Sequence, residues 1–416
     1  MKILLISPLC PLPLERGGAV RIWNIACELS KHHTVDLVCF IRKDEELLYE
    51  EELKKVFRNV KFIQRHKMIS ARSLLMRGSR KWLFFRHNLL VILKSLFSLR
   101  PLLSVLYDSR LMKELLLTAD RTQEYDCYFA ETYYAIASIR DELCTLKTPI
   151  VLIEQNIEYL LYKRQVEIQK NIVLRIGMMW DVWKMKREEI LFWKRVRYLG
   201  GLSLLDNAEI RSVTERQDVL LLENGVNVAW FSEKLGLTRK KNRVLFVGSF
   251  SYFTNVDALI WLLEDICPKF MKNHKSTKIE LHIVGRGADA SLKELVRKKG
   301  LKIDESVEDI RVAFQEATVL FAPLRAGSGT KYKILEAMAS HCPVLTTDIG
   351  AEGLEVSNGK HLIVENEGVR LAEKLNELIE DEKIREQLTV QGYNFVKEYY
   401  DWPKVVGRFE RQLNQD

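Results

Sequence analysis

Short apolar runs alternate with stretches whose apolar residues recur every three to four positions, and this alternation predicts βα units in both halves of the chain. In the first half, Lys2–Ser7 reads as a buried strand, followed by a loop ending in Gly17-Gly18. Ile22, Ile25, Ala26 and Leu29 then fall at helical spacing, and Thr34–Phe40 is the next strand. Val60–Gln64, Cys127–Ala130 and Ile150–Ile153 continue the series. Helix-rich sequence runs from Glu158 to Val196, and Asp218–Glu223 is a last strand before Asn224-Gly225. The second half is cleaner: Val244–Val247, Ile279–Val284, Val319–Ala322, Val344–Thr347 and His361–Val364 are short β-branched runs, most of them separated by helical stretches.

A chain of 416 residues exceeds one ordinary core, so two domains of roughly 150–230 residues each are expected. Trp230–Asn242, polar and basic in its second part, is the expected linker. It separates an N-terminal domain over 1–229 from a C-terminal one over 243–398. Both are expected to be doubly wound α/β sheets, which bind ligands at the carboxyl ends of their strands, so that two of them face each other across a cleft.

Charge changes the picture in one place. Between Leu53 and Tyr107 stand thirteen Lys or Arg and no Asp or Glu, interleaved with Trp82, Phe84, Phe85, Leu89, Val91 and Leu93. Arg86, Lys94 and Arg100 interrupt that window too often for a spanning helix. The pattern predicts contact with an anionic membrane surface rather than nucleic acid, since no nucleic-acid fold motif accompanies it. The seven cysteines are scattered and form no C-x-x-C pair, which argues against a disulfide framework or zinc ribbon and for a cytoplasmic location.

The densest chemistry lies between Ala322 and Ala339. A buried strand ends at Pro323, the loop Gly327-Ser328-Gly329 follows, and a helix opens near Thr330. Free amides at a helix N-terminus bind anions, and glycines let a phosphate approach the backbone. Arg325, Lys331 and Lys333 surround that loop with positive charge. Glu336, about a turn and a half into the helix, repels phosphate and suits hydrogen bonds from sugar hydroxyls. Gly17-Gly18 lacks the spacing of a dinucleotide fingerprint or a Walker loop. No Asp-x-Asp triplet occurs, consistent with a site in which amides and cations take the place of a metal ion; no cofactor is expected.

The Gly327-Ser328-Gly329-Thr330-Lys331 segment resembles the donor-binding signature of glycosyltransferase family 4, retaining enzymes with the two-domain GT-B fold. Further segments carry the resemblance: Gly17-Gly18-x-x-Arg21, Glu154-Gln-Asn-Ile-Glu158, Asn224-Gly-Val-Asn227, Val247-Gly248-Ser249 to Asp257, Ile283-Val-Gly-Arg-Gly287, and Pro343 to Gly353. The resemblance implies that Glu336 contacts the donor's ribose and that Gly248, Ser249, Gly327, Ser328, Gly329, Thr330 and Lys333 line the donor site. Arg325 and Lys331 would stabilise the leaving diphosphate. Gly17, Gly18, Arg21 and Glu158 would lie on the acceptor or diphosphate side, and a helix from about 399 to 416 would cross back to the first domain.

The sequence departs from the family pattern at three places. Ser328 stands where many members carry a glutamate that touches the transferred sugar. Gln155 replaces a histidine and can hydrogen-bond sugar or acceptor but not relay a proton near neutrality. Ser249 and Asn255 stand near the places where many members carry an arginine and a lysine that bind the diphosphate. The resemblance thus implies a hexosyltransferase using a nucleotide-diphosphate sugar and a glycan or lipid-linked acceptor, in polysaccharide or glycolipid synthesis. Its expected location is peripheral, on the inner face of the cell membrane. Two other readings stay open: a nucleotide-sugar epimerase of the same fold, and a binding protein that has lost the chemistry.

Overall fold

The computed structural model describes residues 1–14, 16–65, 91, 93–169, 171–273, 279–327 and 330–414. Most of the basic, aromatic segment, residues 66–90 and 92, lies outside that set, as do Ser328 and Gly329. By their internal contacts the described residues divide into one unit of Met1–Leu222 with Val406–Asp416, and a second of Glu223–Val405.

Strand β1 (Lys2–Ser7) is central to the first sheet because its Ile-Leu-Leu-Ile run is buried on both faces. It pairs in parallel with β2 (Thr34–Ile41) on one side and β4 (Cys127–Glu131) on the other. With β3 (Val60–Gln64), β5 (Ile150–Ile153), β6 (Tyr198–Gly201) and β7 (Val219–Leu221), the order is β3-β2-β1-β4-β5-β6-β7. Strand β6 falls inside a stretch with no strand expectation. Its Tyr-Leu-Gly-Gly run shows no apolar alternation, and Gly200 is needed for close approach: a Cβ there would come within 2.8 Å of the Leu220 carbonyl oxygen.

The second unit holds β8 (Arg243–Val247), β9 (Glu280–Val284), β10 (Ile303–Asp304), β11 (Val319–Ala322), β12 (Val344–Thr346) and β13 (Ile363–Val364). Their order is β10-β9-β8-β11-β12-β13, and every pairing is parallel. Successive strand residues enter two separate cores. Phe246, Ile283 and Phe321 pack with Leu259 and Leu371, whereas Leu245, Val284 and Leu320 pack with Leu335 and Val396. Both faces are therefore covered by helices, as a parallel sheet requires. The order turns at β8 and β11, and in such sheets ligands bind at the carboxyl ends of the strands flanking that turn.

One polar residue holds the first sheet's edge. Asp36 lies in β2 and is almost fully buried. It accepts hydrogen bonds from Arg58 Nε at 2.9 Å, the Asn59 amide at 3.1 Å and the Tyr125 hydroxyl at 2.9 Å, tying the approaches to β3 and β4 to β2. Asp36→Ala is therefore expected to cost about 1–3 kcal/mol, because it removes a buried ionised acceptor shared by three donors, and equilibrium urea denaturation measures the loss.

Candidate active site

In the second unit the loops after β8 and β11 meet around one ammonium group. Lys333 lies in the helix Tyr332–Ala339, and its Nζ donates to Asn255 Oδ1 at 2.7 Å. Asn255 in turn donates from Nδ2 to the Ser249 carbonyl at 2.9 Å. Gly248 is glycine because the Asn255 side chain occupies its Cβ position: an added Cβ would lie 2.7 Å from Asn255 Cγ. Gly327 adopts φ +130°, open to glycine, and a Cβ there would stand 3.4 Å from Lys331 Cε and 3.7 Å from Thr254. The expected residues Gly248, Ser249, Gly327, Lys331 and Lys333 thus converge at the switch point. The helix opens at Tyr332, two residues later than expected, because Lys331 keeps an extended backbone.

Burial tunes the two ionisable groups in opposite directions. It pushes the Lys333 ammonium down to about 8, against the pull of Glu336. It pushes the Glu336 carboxyl up to about 7, against the pull of Lys333. Thr330 is buried, and its hydroxyl has no hydrogen-bond partner among the described residues. Arg325 departs from a free cationic rim: it makes a bidentate pair with Asp257 at 2.6 and 3.1 Å and lies 4.9 Å over the Trp261 ring. No sequence spacing joins Asp257 or Trp261 to Arg325, since helix Phe253–Trp261 brings them there from some 70 positions earlier.

In the first unit the expected residues gather around a carboxylate absent from the sequence reading. Glu131 ends β4 and is fully buried. Its Oε2 accepts from Arg21 Nε at 3.2 Å and from Gln155 Nε2 at 3.0 Å. With that N–H engaged, the carbonyl of Gln155 points at Gly18, where an added Cβ would lie 3.0 Å from Oε1. Gly17 and Gly18 open the helix Gly17–Leu29.

Glu158 belongs to a second buried group. Glu154 accepts from Trp193 Nε1 at 2.9 Å and the Tyr133 amide at 3.3 Å. Glu189 accepts from the amides of Glu158 and Tyr159 at 2.8 and 3.0 Å, capping the helix Glu158–Ile168. Burial raises Glu154 to about 8 despite the Trp193 bond, raises Glu158 to about 7, and raises Glu189 well above the usual range. The Glu154-Gln-Asn-Ile-Glu158 segment marks two members of this group in the sequence, but Glu189 shows only as half of a Glu-Glu pair in a Trp- and Lys-rich helix.

Two parallel doubly wound sheets, one ending in a glycine-rich cationic turn, define the GT-B class of fold. Residues 241–381 match the family glycosyl transferases group 1. An uncharacterised 44.6 kDa protein of the cps region of Klebsiella pneumoniae is 23% identical over 97% of both chains. A phosphatidyl-myo-inositol mannosyltransferase of Mycobacterium leprae is 28% identical over 47% of this chain and 53% of its own length, so the match spans about half of that relative. Among solved structures, HepE of Anabaena in complex with UDP aligns over the whole of both chains, with a TM-score of 0.67 and 15% identity. The protein is a glycosyltransferase resembling family 4.

The raised carboxyls carry a pH signature. Glu158 titrates near 4.5 when unfolded and about 7 when folded, so the folded chain holds the extra proton between those values. Stability contributed by that proton is complete below 4.5 and is lost as pH rises through about 7. Melting temperature is expected to fall across that window, and Glu158→Gln to flatten the fall; thermal unfolding over a pH series reads both.

Proposed function

We propose that the protein transfers a hexose from a nucleotide-diphosphate sugar to a glycan or lipid-linked acceptor, with retention and without a metal ion, at an anionic membrane surface. The second unit (223–405) holds the donor and the first holds the acceptor. The observation that carries this reading is the convergence of Gly327, Lys331, Lys333 and the Gly248-Ser249 loop at the switch point of the second sheet. UDP is bound by HepE, the relative from Anabaena, which supports a uridine nucleotide as the first donor to test. The thirteen cations between Leu53 and Tyr107 support the membrane, and the mannosyltransferase relative named for phosphatidyl-myo-inositol supports a lipid acceptor.

In this reading the diphosphate gains charge as the glycosidic bond breaks. Gly327, Ser328, Gly329 and Thr330 offer backbone amides, and Lys331 and Lys333 offer ammonium groups. Removing one such donor typically raises a barrier by about 3–4 kcal/mol. Lys333 delivers its cation to Asn255, close to where the family places a lysine, which supports the view that the charge has moved rather than vanished. Arg325 reaches the phosphates only by leaving Asp257 or by sharing with it. Glu336, when ionised, accepts hydrogen bonds from two ribose hydroxyls. Gln155 presents its carbonyl to a hydroxyl of sugar or acceptor and takes no proton, so the acceptor's proton goes to the departing phosphate oxygen. Arg21 holds Glu131, and Glu158 shapes the same strand ends from the buried carboxyl group.

The two tuned groups set the pH dependence of nucleotide binding. Glu336 ionises as pH rises through about 7, which strengthens its grip on ribose. Lys333 loses its proton above about 8, which weakens its hold on diphosphate. Calorimetric affinity for UDP is expected to peak between those values, with Glu336→Gln removing the acid limb in a folded protein. A flat profile in the wild type would take both residues out of the site. Lys331→Ala is expected to slow transfer about tenfold or more while leaving uridine binding unchanged. Product analysis over UDP, GDP and ADP sugars assigns the reaction, and an epimerised nucleotide sugar formed without acceptor would make the protein an epimerase instead.

A further inference from the structure

The helix Ile172–Arg195 has two unlike halves. Its second half is buried through Lys184, Met185, Glu188, Glu189, Phe192 and Trp193. Its first half is largely exposed, yet carries Ile172, Val173, Leu174, Ile176 and Met179, each between 55% and 74% accessible. Ten apolar-rich residues in water make a marginal helix, and an all-round apolar surface is not what water selects. Something fixes it in place. Asn171 caps the first turn by accepting from the amides of Val173 and Leu174. Lys184, fully buried, donates to the Ser95 carbonyl at 2.8 Å and the Arg100 carbonyl at 3.1 Å, and pairs with Asp181 at 3.0 Å. Asp181 also accepts from the Leu102 amide at 3.0 Å.

That clamp brings a second exposed group beside the helix: Leu96, Phe97 and Leu99, with Phe97 87% accessible. The order of chemistry along the helix then matters. Its tip is aliphatic. Trp180 and Trp183 follow, stacked with ring centres 4.8 Å apart. Lys186 and Arg187 come next, Arg187 lying 4.9 Å over the Trp183 ring, and Lys94 is exposed in the neighbouring segment. At 1.5 Å per residue the tip lies roughly 12 Å beyond Trp180, and the cations roughly 10 Å behind it. Aliphatic, then aromatic, then cationic is the depth profile of an anionic lipid interface, where tryptophan sits at the headgroups and Lys or Arg meet the surface charge. Arg175, near the tip, is long enough to reach back toward the headgroups. Among the described residues no helix is long and apolar enough to cross a membrane.

Resting on the membrane reading above, we propose that the first half of this helix, with Leu96, Phe97 and Leu99, is a docking spike that inserts into the facing leaflet of an anionic bilayer. The surface is separate from the sugar-transfer site, and its test reads binding alone. The full chain is floated with vesicles of mixed phosphatidylcholine and phosphatidylglycerol, and with phosphatidylcholine alone. Binding is expected for the mixed vesicles, with tryptophan fluorescence quenched by brominated acyl chains. The double variant Val173→Asp, Ile176→Asp, which changes only exposed positions, is expected to weaken binding about tenfold or more with unchanged circular dichroism and melting. Replacing Trp180 and Trp183 by Leu is expected to remove most of the quenching. Wild-type binding with a double variant that binds equally well overturns the spike while leaving the basic segment as the membrane contact. Absence of wild-type binding overturns both. Self-association of the wild type in sedimentation velocity, abolished by the double variant and indifferent to lipid, would show that a second copy covers this face and overturns the proposal.

Discussion

The ammonium of Lys333 is drawn out of bulk water, and the arrangement of three loops in the second unit follows from where it is held. An amide oxygen is the partner, so the charge is stabilised without being neutralised. Asn255 can offer that oxygen only if its other end is fixed, which the Ser249 carbonyl does. Its side chain then fills the space beside Gly248, and no Cβ is tolerated there. The backbone after β9 packs on the same turn: a Cβ at Gly285 would fall 1.8 Å from the Gly248 carbonyl oxygen. The turn after β8 therefore demands glycine at two places, one against the Asn255 side chain and one against its own backbone. A carboxylate in place of Asn255 would quench the charge that the site offers to a ligand.

The first unit solves the same topological problem with the opposite sign. Its strand ends collect carboxyl groups: Glu131, Glu154, Glu158 and Glu189 are all buried. Among the described residues, Glu131 alone of these has a cation against it, Arg21. Glu154 and Glu189 are met by amides and an indole, and burial leaves them holding protons at pH values where a surface carboxyl has lost them. Buried acids without paired cations cost stability, and the cost persists only where the surroundings over-determine the arrangement. Here the determinant is the helix Ile172–Arg195, whose second half brings Glu189 and Trp193 to the end of β5 from more than 30 residues away.

Strands with apolar runs were legible from sequence because burial on both faces of a parallel sheet leaves a continuous signal; Lys2–Ser7, Val60–Gln64, Ile150–Ile153 and Val319–Ala322 coincide with the observed strands. Strand Tyr198–Gly201 was not, since half of it is glycine, Gly200 held by contact with β7 and Gly201 by contact with Asp206 and Asn207. Ile303–Asp304 is too short to show any period. The grouping of Gly327, Lys331, Lys333 and Glu336 was legible because they lie on one strand-loop-helix segment, where spacing translates directly into proximity. Partners supplied from elsewhere in the chain were not: Asp257 on Arg325 and Glu131 on Gln155 are joined across 68 and 24 positions by the fold alone. A glutamate at a strand end reads as solvated until the helix that buries it is known.

Gln155 shows how such a hidden partner alters chemistry as well as geometry. An isolated glutamine offers a ligand either its N–H or its carbonyl. Glu131 fixes which way the group faces, because a buried carboxylate beside an amide accepts one N–H and would repel the oxygen. The carbonyl turned toward Gly18 can then accept from a hydroxyl but cannot strip it of its proton. In the proposed transfer, basicity must accordingly come from the leaving phosphate. Lysines and amides that stabilise that phosphate also make it a weaker base, so the cationic end of the second unit works under a constraint. It must hold enough charge to release the diphosphate, and not so much that the oxygen no longer takes the acceptor's proton. The Lys333 ammonium, brought down to about 8 and held on a neutral amide, would still carry its charge at neutral pH and so meet the first of these demands.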